Sequence, residues 1–347
     1  MKLTDLLRPG YDAGAWEGYQ LPKFDLEAVR AKTHDAPTWL HFGAGNIFRA
    51  FPAALLEDLL DQGVYDRGVI VAEGFDFEII DKAYAPYDNL SLLVVLQSDG
   101  SIQKKVVASV TESLKADPRF PADWARLEAV MTAPSLQMVS FTITEKGYSV
   151  APADLERGLS PALIMGKVAA LLYKRYQAGA LPLTLQSMDN CSHNGDKVKA
   201  AVLAYAEAWV EAGLADEGFL AYLKDGGRVT FPWNMIDKIT PRPDALVQGM
   251  LEQDGFEDRD AIITGRNTYT APFVNAEETE YLVVEDRYAN GRPPLDRAGV
   301  LYTDQATVDK VERMKVCTCL NPLHTAPAIY GCLLGYTLIS AEMKDGD

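Results

Sequence analysis

Strands that alternate with helices are the main prediction from the order of apolar and polar residues along the chain. A short β-prone run at residues 38–42 ends in a glycine-rich turn at 43–45. A helical period with one apolar face follows over 48–60, and residues 68–72 form the next apolar run. This order of strand, glycine turn, helix and strand is typical of a βαβ unit.

Further elements of both kinds follow. We predict a two-stranded hairpin at residues 92–96 and 102–110, a strand buried on both faces at 136–144 and a further strand at 183–187. Three helices are predicted at 121–131, 161–177 and 195–212. Strands and helices at this spacing predict the α/β class, with a doubly wound Rossmann-type sheet that is mostly parallel.

The character of the chain changes after about residue 228. Proline- and glycine-rich loops with short strands extend to 304, and the remaining residues read as helical. A Gly-Arg-Pro-Pro stretch at 291–294 is a candidate boundary. We therefore predict one domain with extensions over 1–292 and the beginning of a helical domain over 293–347.

Composition excludes several classes of function. The 347 residues carry a net charge of −16, which disfavours binding to nucleic acid or to an anionic membrane surface. The chain start lacks the apolar region of a secretory signal, and no run of about 18 apolar residues predicts a membrane span. The four cysteines make no disulfide framework, which favours the cytoplasm. The oligomeric state, monomer or dimer, stays open.

The glycine turn is the first candidate site. In Gly43-Ala44-Gly45-Asn46-Ile47-Phe48 the first glycine permits a tight turn and the second permits close approach of a pyrophosphate to free N–H groups. Phe48 replaces the usual third glycine, which implies a wider crossing of helix and strand or a different turn. Arg49 is either a phosphate ligand or a solvated helix residue. An ordinary βα turn is the alternative for the whole motif.

An acidic residue after the second strand would complete a dinucleotide site. Glu73 is the candidate for the ribose hydroxyls and Asp76 is its competitor. A carboxylate there favours NAD over NADP, because it repels a 2′-phosphate. The alternative is an acidic loop residue without a ligand.

A polar loop follows the predicted strand at 183–187. It reads SMDNCSHNG over 187–195, and such loops at the carboxyl ends of parallel strands bind ligands. A structural interpretation also fits, with Asn194 as a helix cap and an Asx turn at Asp189. Both interpretations can hold together.

Lys315, Asn321 and His324 form the last polar set. A lysine can act as a general base, an asparagine amide can donate to an alkoxide, and a histidine can orient a hydroxyl. Asn321 before Pro322 is also a plain helix start signal. Cys317 and Cys319 with His324 suggest zinc, although their spacing matches no usual structural zinc pattern.

Six blocks in order, between about residues 38 and 326, resemble the mannitol dehydrogenase family of polyol-specific long-chain dehydrogenases and reductases. They read HFGAGNIFR from 41, TITEKGY from 142, SMDNCSHNG from 187, FPWNMIDKITP from 231, ED from 285 with GRP from 291, and ERMK from 312 continuing through Asn321 to His324. The resemblance implies hydride transfer without zinc, between NAD(H) and a secondary hydroxyl or ketone of a hexitol or hexonate.

The resemblance also implies roles for particular residues. Lys315 corresponds to the general base and His324 to the residue that positions the substrate. Asn321 and either Asn190 or Asn194 correspond to the pair that stabilises the alkoxide. Supporting acids, which relay a proton or orient the lysine, are expected at Asp237, Glu145 and Glu312.

Three departures from the family pattern stand out. Lys238 lies where the family often has Arg, and Pro322 where it often has Gly. Five residues, rather than four, separate Lys315 from Asn321. One extra residue rotates Asn321 off the face of the lysine by about 100°, so we predict a π-bulge or a new helical segment between residues 316 and 322.

The expected substrates are mannonate and fructuronate, or mannitol and fructose, with the sugar acids favoured. Two alternatives are a zinc-dependent polyol dehydrogenase and an inactive nucleotide-binding relative. Family members are longer and end in a helical domain that completes the substrate pocket. A truncated chain is therefore one expectation and a shortened relative another, and truncation predicts an exposed apolar surface near residues 330–338.

Overall fold

The computed structural model describes residues 1–346. The strands of this part are β1 (Tyr19–Gln20), β2 (Trp39–Phe42), β3 (Val69–Glu73), β4 (Ser91–Leu96), β5 (Ile102–Val107), β6 (Val110–Lys115), β7 (Met138–Phe141), β8 (Leu183–Ser187), β9 (Val229–Thr230), β10 (Asn234–Lys238), β11 (Ile262–Ile263), β12 (Tyr269–Thr270), β13 (Phe273–Glu277), β14 (Glu280–Glu285) and β15 (Leu301–Thr303).

The α-helices are α1 (Leu26–Asp35), α2 (Asn46–Ala50), α3 (Pro52–Asp61), α4 (Pro121–Thr132), α5 (Thr144–Gly147), α6 (Pro152–Leu155), α7 (Ile164–Gln177), α8 (Asn194–Glu211), α9 (Glu217–Lys224), α10 (Ala245–Gln253), α11 (Gln305–Arg313), α12 (Asn321–Leu334) and α13 (Ile339–Glu342). Short 3₁₀ turns occupy Leu3–Leu7, Ala13–Trp16, Ala85–Tyr87 and Leu295–Ala298, and π-helices occupy Ile80–Tyr84 and Met314–Cys319.

A six-stranded parallel sheet forms the centre of the protein. Its strand order is β6-β3-β2-β7-β8-β9, and every neighbouring pair is parallel. The order reverses between β2 and β7, so the loops after these strands diverge and open a crevice at the carboxyl edge. The predicted doubly wound Rossmann-type sheet is confirmed.

Both faces of this sheet are buried, which explains the continuous apolar runs of its strands. Leu40 and Phe42 of β2 lie in a core shared with α4, α7, α8 and α9. Trp39, which points to the opposite face, lies in a second core with α3 and the later strands. Neighbouring residues of one strand therefore serve two cores, and a shift in register would disrupt both.

Smaller sheets flank the central one. Strands β1, β5, β4 and β13 form a mixed sheet, β10, β14 and β15 form another, and β11 and β12 make a hairpin. The predicted hairpin is present as β4 and β5, which are antiparallel. Its second strand was predicted through residue 110, which is wrong: β5 ends at Val107, and Val110 begins β6 at the edge of the central sheet.

The helix predicted over 48–60 is interrupted. It forms as α2 and α3, with Phe51 between them at φ −129° and ψ −74°. Pro52 has no N–H to continue the ladder and disfavours the helical conformation of Phe51, which accounts for the break. The glycine turn is therefore followed by one short helical segment and a change of direction.

The chain beyond the predicted boundary at 291–294 continues the same architecture. Strand β15 pairs in parallel with β14, and Arg292 forms ion pairs with Asp286 and Asp296 on either side of that stretch. Asp304 is the N-cap of α11, and its carboxylate accepts from the N–H of Thr307.

The surface of the last helices is apolar. Tyr330, Leu333 and Leu334 of α12 and Leu338 beyond it are each more than 60% exposed. The exposed apolar surface expected near residues 330–338 is present. None of the helices within residues 1–346 is both long and apolar enough to cross a lipid bilayer.

Glu57 of α3 is a buried acidic residue that lies away from the carboxyl edge of the central sheet. One carboxylate oxygen accepts from the N–H of Ala108 at 2.8 Å, and the other has no partner among the described residues. Burial raises the pKa of Glu57 from 4.5 to about 8. The folded protein therefore favours the protonated carboxyl over a wide pH interval.

We expect Glu57→Gln to remove a pH dependence of stability. Below pH 4.5 Glu57 is protonated in both states; between 4.5 and about 8 it ionises in the unfolded chain first. The stability of the wild type relative to the variant should thus fall as pH rises to about 8 and then level off. Urea unfolding of both proteins at several pH values measures this difference, with the exposed Glu17→Gln as control. Parallel pH curves for wild type and Glu57→Gln would contradict it.

Candidate active site

The glycine turn after β2 packs directly against the end of β7. Gly43 has φ +110°, and a Cβ placed on it would lie 2.2 Å from the carbonyl oxygen of Thr142. Only glycine fits that approach. A Cβ on Gly45 would meet no atom within 4 Å, so the turn is open on that side.

Four backbone donors face this opening. Among the described residues, the N–H groups of Gly45, Asn46, Ile47 and Phe48 donate no hydrogen bond. Unpaired N–H groups at the start of a helix attract an anion such as a phosphate. The site therefore has the open space and the donors that a pyrophosphate needs.

Glu73 closes the turn from the side of β3. Its carboxylate accepts from the N–H of Ala44 at 2.9 Å, and from those of Phe75 and Asp76 at 2.8 and 3.1 Å. The side chain is buried, with 7% exposed. It joins the glycine turn to the loop after β3, and its predicted contact with a ribose stays a prediction.

Asp76, the competing candidate, is buried and bonded to a later part of the chain. Its carboxylate accepts from the hydroxyl groups of Thr264 and Thr268, both at 2.6 Å, and is 2% exposed. These threonines belong to the loop of the β11–β12 hairpin. Both bonds end on the same carboxylate oxygen, and through it Asp76 fastens this hairpin beside the loop after β3.

Arg49 is buried, so the expectation of a solvated helix residue is wrong. Its guanidinium is buried and donates to the carbonyl oxygen of Ala271 at 2.7 Å and to the hydroxyl of Thr270 at 2.6 Å. Asn46 accepts a further bond from it at 2.9 Å. Arg49 thus connects α2 to β12 and does not lie in solvent, and its predicted contact with a phosphate stays a prediction.

Phe48 occupies its unusual position by stacking on β2. Its ring lies 4.1 Å from that of His41, nearly parallel to it. The imidazole of His41 contacts the hydroxyls of Ser140 and Thr142, and burial lowers its pKa to about 3. A neutral, fully bonded histidine thus supplies the flat surface against which α2 rests.

Asp189 organises the polar loop after β8. Its carboxylate accepts from the N–H groups of Ile143 and Thr144 at 2.9 and 3.0 Å and from the hydroxyl of Tyr148 at 2.6 Å. Burial raises the pKa of Asp189, and burial with this carboxylate raises that of Tyr148. The expected Asx turn is wrong, since the side chain bridges to the loop after β7 instead.

Asn194 is built into the fold. Its amide donates to the carbonyl oxygens of Asp189 and Asn234 at 3.0 and 2.9 Å and accepts from the N–H of Asn234 at 3.1 Å. It does not cap α8, whose N-cap is His193. Asn190 is exposed and has no hydrogen-bond partner within residues 1–346.

Lys315 lies in the predicted helix irregularity. Residues Met314–Cys319 form a π-helix, and the N–H of Leu320 donates to the carbonyl oxygen of Lys315. The prediction of a π-type insertion is confirmed. The buried ammonium of Lys315 donates to Asp237 and to the carbonyl oxygen of Ile236, both at 2.9 Å.

The two predicted glutamates differ in position. Glu312, one turn before Lys315 and 7% exposed, accepts from the hydroxyl of Ser192 and the N–H of His193. Glu145 is exposed and pairs with Lys197 at 2.9 Å. Glu312 therefore holds the polar loop against α11, whereas Glu145 lies at the surface.

Asn321 and His324 begin α12, after the π-helix. Both are exposed, and neither side chain contacts Lys315 in the part of the chain that the structure describes. Cys317 and Cys319 are exposed thiols. No three His, Cys, Asp or Glu side chains within residues 1–346 form a group that could hold a metal ion.

Sequence reasoning missed the bonding roles of Asp189, Tyr148 and Asn234. Asn234 bonds Asn194 and donates to the carbonyl oxygen of Ser187. All three lie inside the blocks that carry the family resemblance, but nothing local distinguishes a buried bridge from a loop residue. The signal that could have found them is that polar side chains beside buried strands need partners.

Comparison with known proteins gives a consistent result. The sequence profile of the mannitol dehydrogenase Rossmann domain matches residues 37–297. The chain is 50% identical to D-mannonate oxidoreductase of Thermotoga maritima, over 96% of this chain and 64% of that protein. It is 30% identical to polyol:NADP oxidoreductase of Gluconobacter oxydans, over 94% and 64%.

Solved structures agree. Substrate-free D-sorbitol dehydrogenase superposes with a TM-score of 0.75 at 28% identity, over 92% of this chain and 63% of that one. The ternary complex of Pseudomonas fluorescens mannitol 2-dehydrogenase with NAD and D-mannitol gives 0.72 at 25%, over 91% and 60%. The chain thus spans less than two thirds of the length of these relatives. It belongs to the mannitol dehydrogenase family.

Proposed function

We propose that this protein is an NAD-dependent oxidoreductase that transfers a hydride between NAD(H) and a secondary hydroxyl or ketone of a hexitol or hexonate. The observation that carries the proposal is the buried Lys315, whose ammonium is held by Asp237 and the carbonyl oxygen of Ile236. Three residues before it, Glu312 bonds the polar loop after β8. The open glycine turn lies at the same edge of the sheet. The mannonate/fructuronate pair is the favoured substrate, supported by the Thermotoga maritima relative named D-mannonate oxidoreductase.

The residues present fit NAD. The unpaired N–H groups at Gly45–Phe48 suit the pyrophosphate, and a carboxylate at Glu73 suits ribose hydroxyls. Bound NAD would serve as the hydride carrier. The turn consists of Gly43, Ala44, Gly45, Asn46, Ile47 and Phe48. The buried side chains of Arg49 and Asp76 connect its surroundings to residues 264–271 through bonds with Ala271 and Thr264.

The proton is the task of Lys315. In ketone reduction the ammonium gives one proton to the carbonyl oxygen as carbon receives the hydride, and in oxidation the neutral amine takes that proton back. Asp237 and the carbonyl oxygen of Ile236 fix the position of the amine. Glu312 acts indirectly, because it bonds Ser192 and His193 and so connects the polar loop to the helical segment that carries Lys315.

Asn190, rather than Asn194, is proposed to stabilise the alkoxide. The amide of Asn194 is committed to Asp189 and Asn234, whereas that of Asn190 is unbonded among the described residues. Asn321 and His324 retain their proposed roles as second alkoxide donor and substrate-positioning residue. Their exposure leaves them accessible to a ligand.

The zinc-dependent alternative is not favoured, since Cys317 and Cys319 belong to no group of three metal-binding side chains among the described residues. The hydride-transfer assay tests the inactive alternative. The cytoplasm is the proposed location, because the four cysteines are free thiols.

The direct test is a hydride-transfer assay. We expect the protein to oxidise NADH fastest with fructuronate, more slowly with tagaturonate or fructose, and to bind NADH in the absence of substrate. Absorbance of NADH measures the rate and fluorescence titration the binding. A protein that does not bind NADH at all would contradict the proposal.

Lys315→Gln tests the proton transfer. Loss of a general acid–base group should lower kcat by roughly 100- to 10,000-fold, while the affinity for NADH stays the same. Lys310→Gln, at an exposed position of α11, is the matched control and should keep full activity. Unchanged turnover of Lys315→Gln would reject the lysine assignment.

Alanine at the two asparagines should give opposite results. Asn194→Ala leaves buried backbone groups of Asn234 and Asp189 unpaired and should lower the free energy of unfolding by about 1–3 kcal/mol. Asn190→Ala should leave stability within about 0.5 kcal/mol but lower kcat by roughly 100-fold or more. Urea unfolding and steady-state kinetics measure the two effects, and the reverse pattern would exchange the assignments.

A further inference from the structure

Phe75 is unusual among the phenylalanines of the protein. It is 65% exposed, and it alone among the twelve phenylalanines, all within the described residues, is mostly in solvent. It lies two residues after Glu73, whose carboxylate accepts from its N–H at 2.8 Å. The exposed ring is therefore held at the end of β3, beside the glycine turn.

Arg266 covers one face of this ring. The centre of its guanidinium lies 4.2 Å from the ring centroid of Phe75, a cation–π contact. Arg266 forms no ion pair and no side-chain hydrogen bond within residues 1–346. In a protein with a net charge of −16, this cation is thus not neutralised by an acidic partner among the described residues.

The position of Arg266 is fixed by its backbone. The hairpin of β11 and β12 carries it, and the hydroxyls of Thr264 and Thr268 on either side donate to Asp76. The N–H of Arg266 itself donates to the hydroxyl of Thr264 at 3.3 Å. The Phe75–Arg266 pair, which we call the platform, thus has a backbone held by hydrogen bonds and an outer surface exposed to solvent.

We propose that the Phe75–Arg266 platform is the binding surface for the adenine ring of the dinucleotide. This inference rests on the proposed function. With a pyrophosphate at Gly45 and the ribose at Glu73, the adenine extends past the end of β3, where the platform lies. Stacking on an aromatic ring and a guanidinium suits a purine, whose faces are flat and polarisable.

Arg266 also offsets an electrostatic cost. Glu73 is bonded to the glycine turn itself, so its carboxylate repels the anionic pyrophosphate that the turn would hold. The guanidinium of Arg266 lies over the ring of Phe75, two residues after Glu73. It attracts the cofactor to an otherwise acidic surface, and this attraction is screened by salt.

The test compares variants of the full chain by calorimetric titration with ADP-ribose and by fluorescence titration with NADH. Phe75→Ala should weaken both ligands by roughly 5- to 100-fold, the range found for loss of one base–aromatic stack. Phe75→Tyr should restore the affinity, because it keeps the ring. Arg266→Ala should weaken binding several-fold at low salt, with the difference from wild type shrinking as salt rises.

Arg297→Ala is the matched control, since Arg297 is also exposed without an ion pair among the described residues and its loss changes the net charge equally. It should leave the affinity for ADP-ribose unchanged. A wild-type protein that binds neither ligand would refute the proposed function. A wild type that binds both, with Phe75→Ala and Arg266→Ala unchanged, would overturn the adenine platform alone.

Discussion

Backbone N–H groups left unpaired at the carboxyl edge of the parallel sheet are the constraint on which the site depends. The chain leaves the hydrogen-bond ladder there and turns back within a few residues, so these donors need other acceptors. Glu73 takes up three of them and Asp189 two more. Because each acid connects two loops, the edge becomes a rigid frame.

The same comparison of donors and acceptors identifies the part of the edge where we propose that an anion binds. Where the chain provides a carboxylate, the edge is closed to anions; at Gly45–Phe48 it provides none. The strained backbone at Thr144 and His193, with φ of 63° and 48°, lies in the loops that Asp189 and Glu312 hold. Such conformations persist where the surrounding bonds over-determine them.

The sequence predicted the central sheet well because its strands are buried on both faces and carry unbroken apolar runs. Strand β6 escaped prediction, since Thr111, Glu112 and Ser113 follow no such run at the sheet edge. The π-helix at Lys315 could be predicted by counting residues, because one extra residue between Lys315 and Asn321 would turn the two side chains to different faces of a regular α-helix. The burial of Arg49 and Asp76 could not be predicted from the sequence, since their hydrogen-bond partners lie within residues 264–271, about two hundred positions later along the chain.

That distance along the chain has a consequence for assembly. The bond between Asp76 and Thr264 joins residues 188 positions apart, and it brings a late hairpin against the first βαβ unit. Closing so long a loop is slow and depends on the intervening strands being in place. The first βαβ unit therefore emerges from the ribosome with its glycine turn formed locally but with one wall absent. That wall arrives only when the flanking sheets have folded, so the surface that we propose for the dinucleotide is completed late in folding.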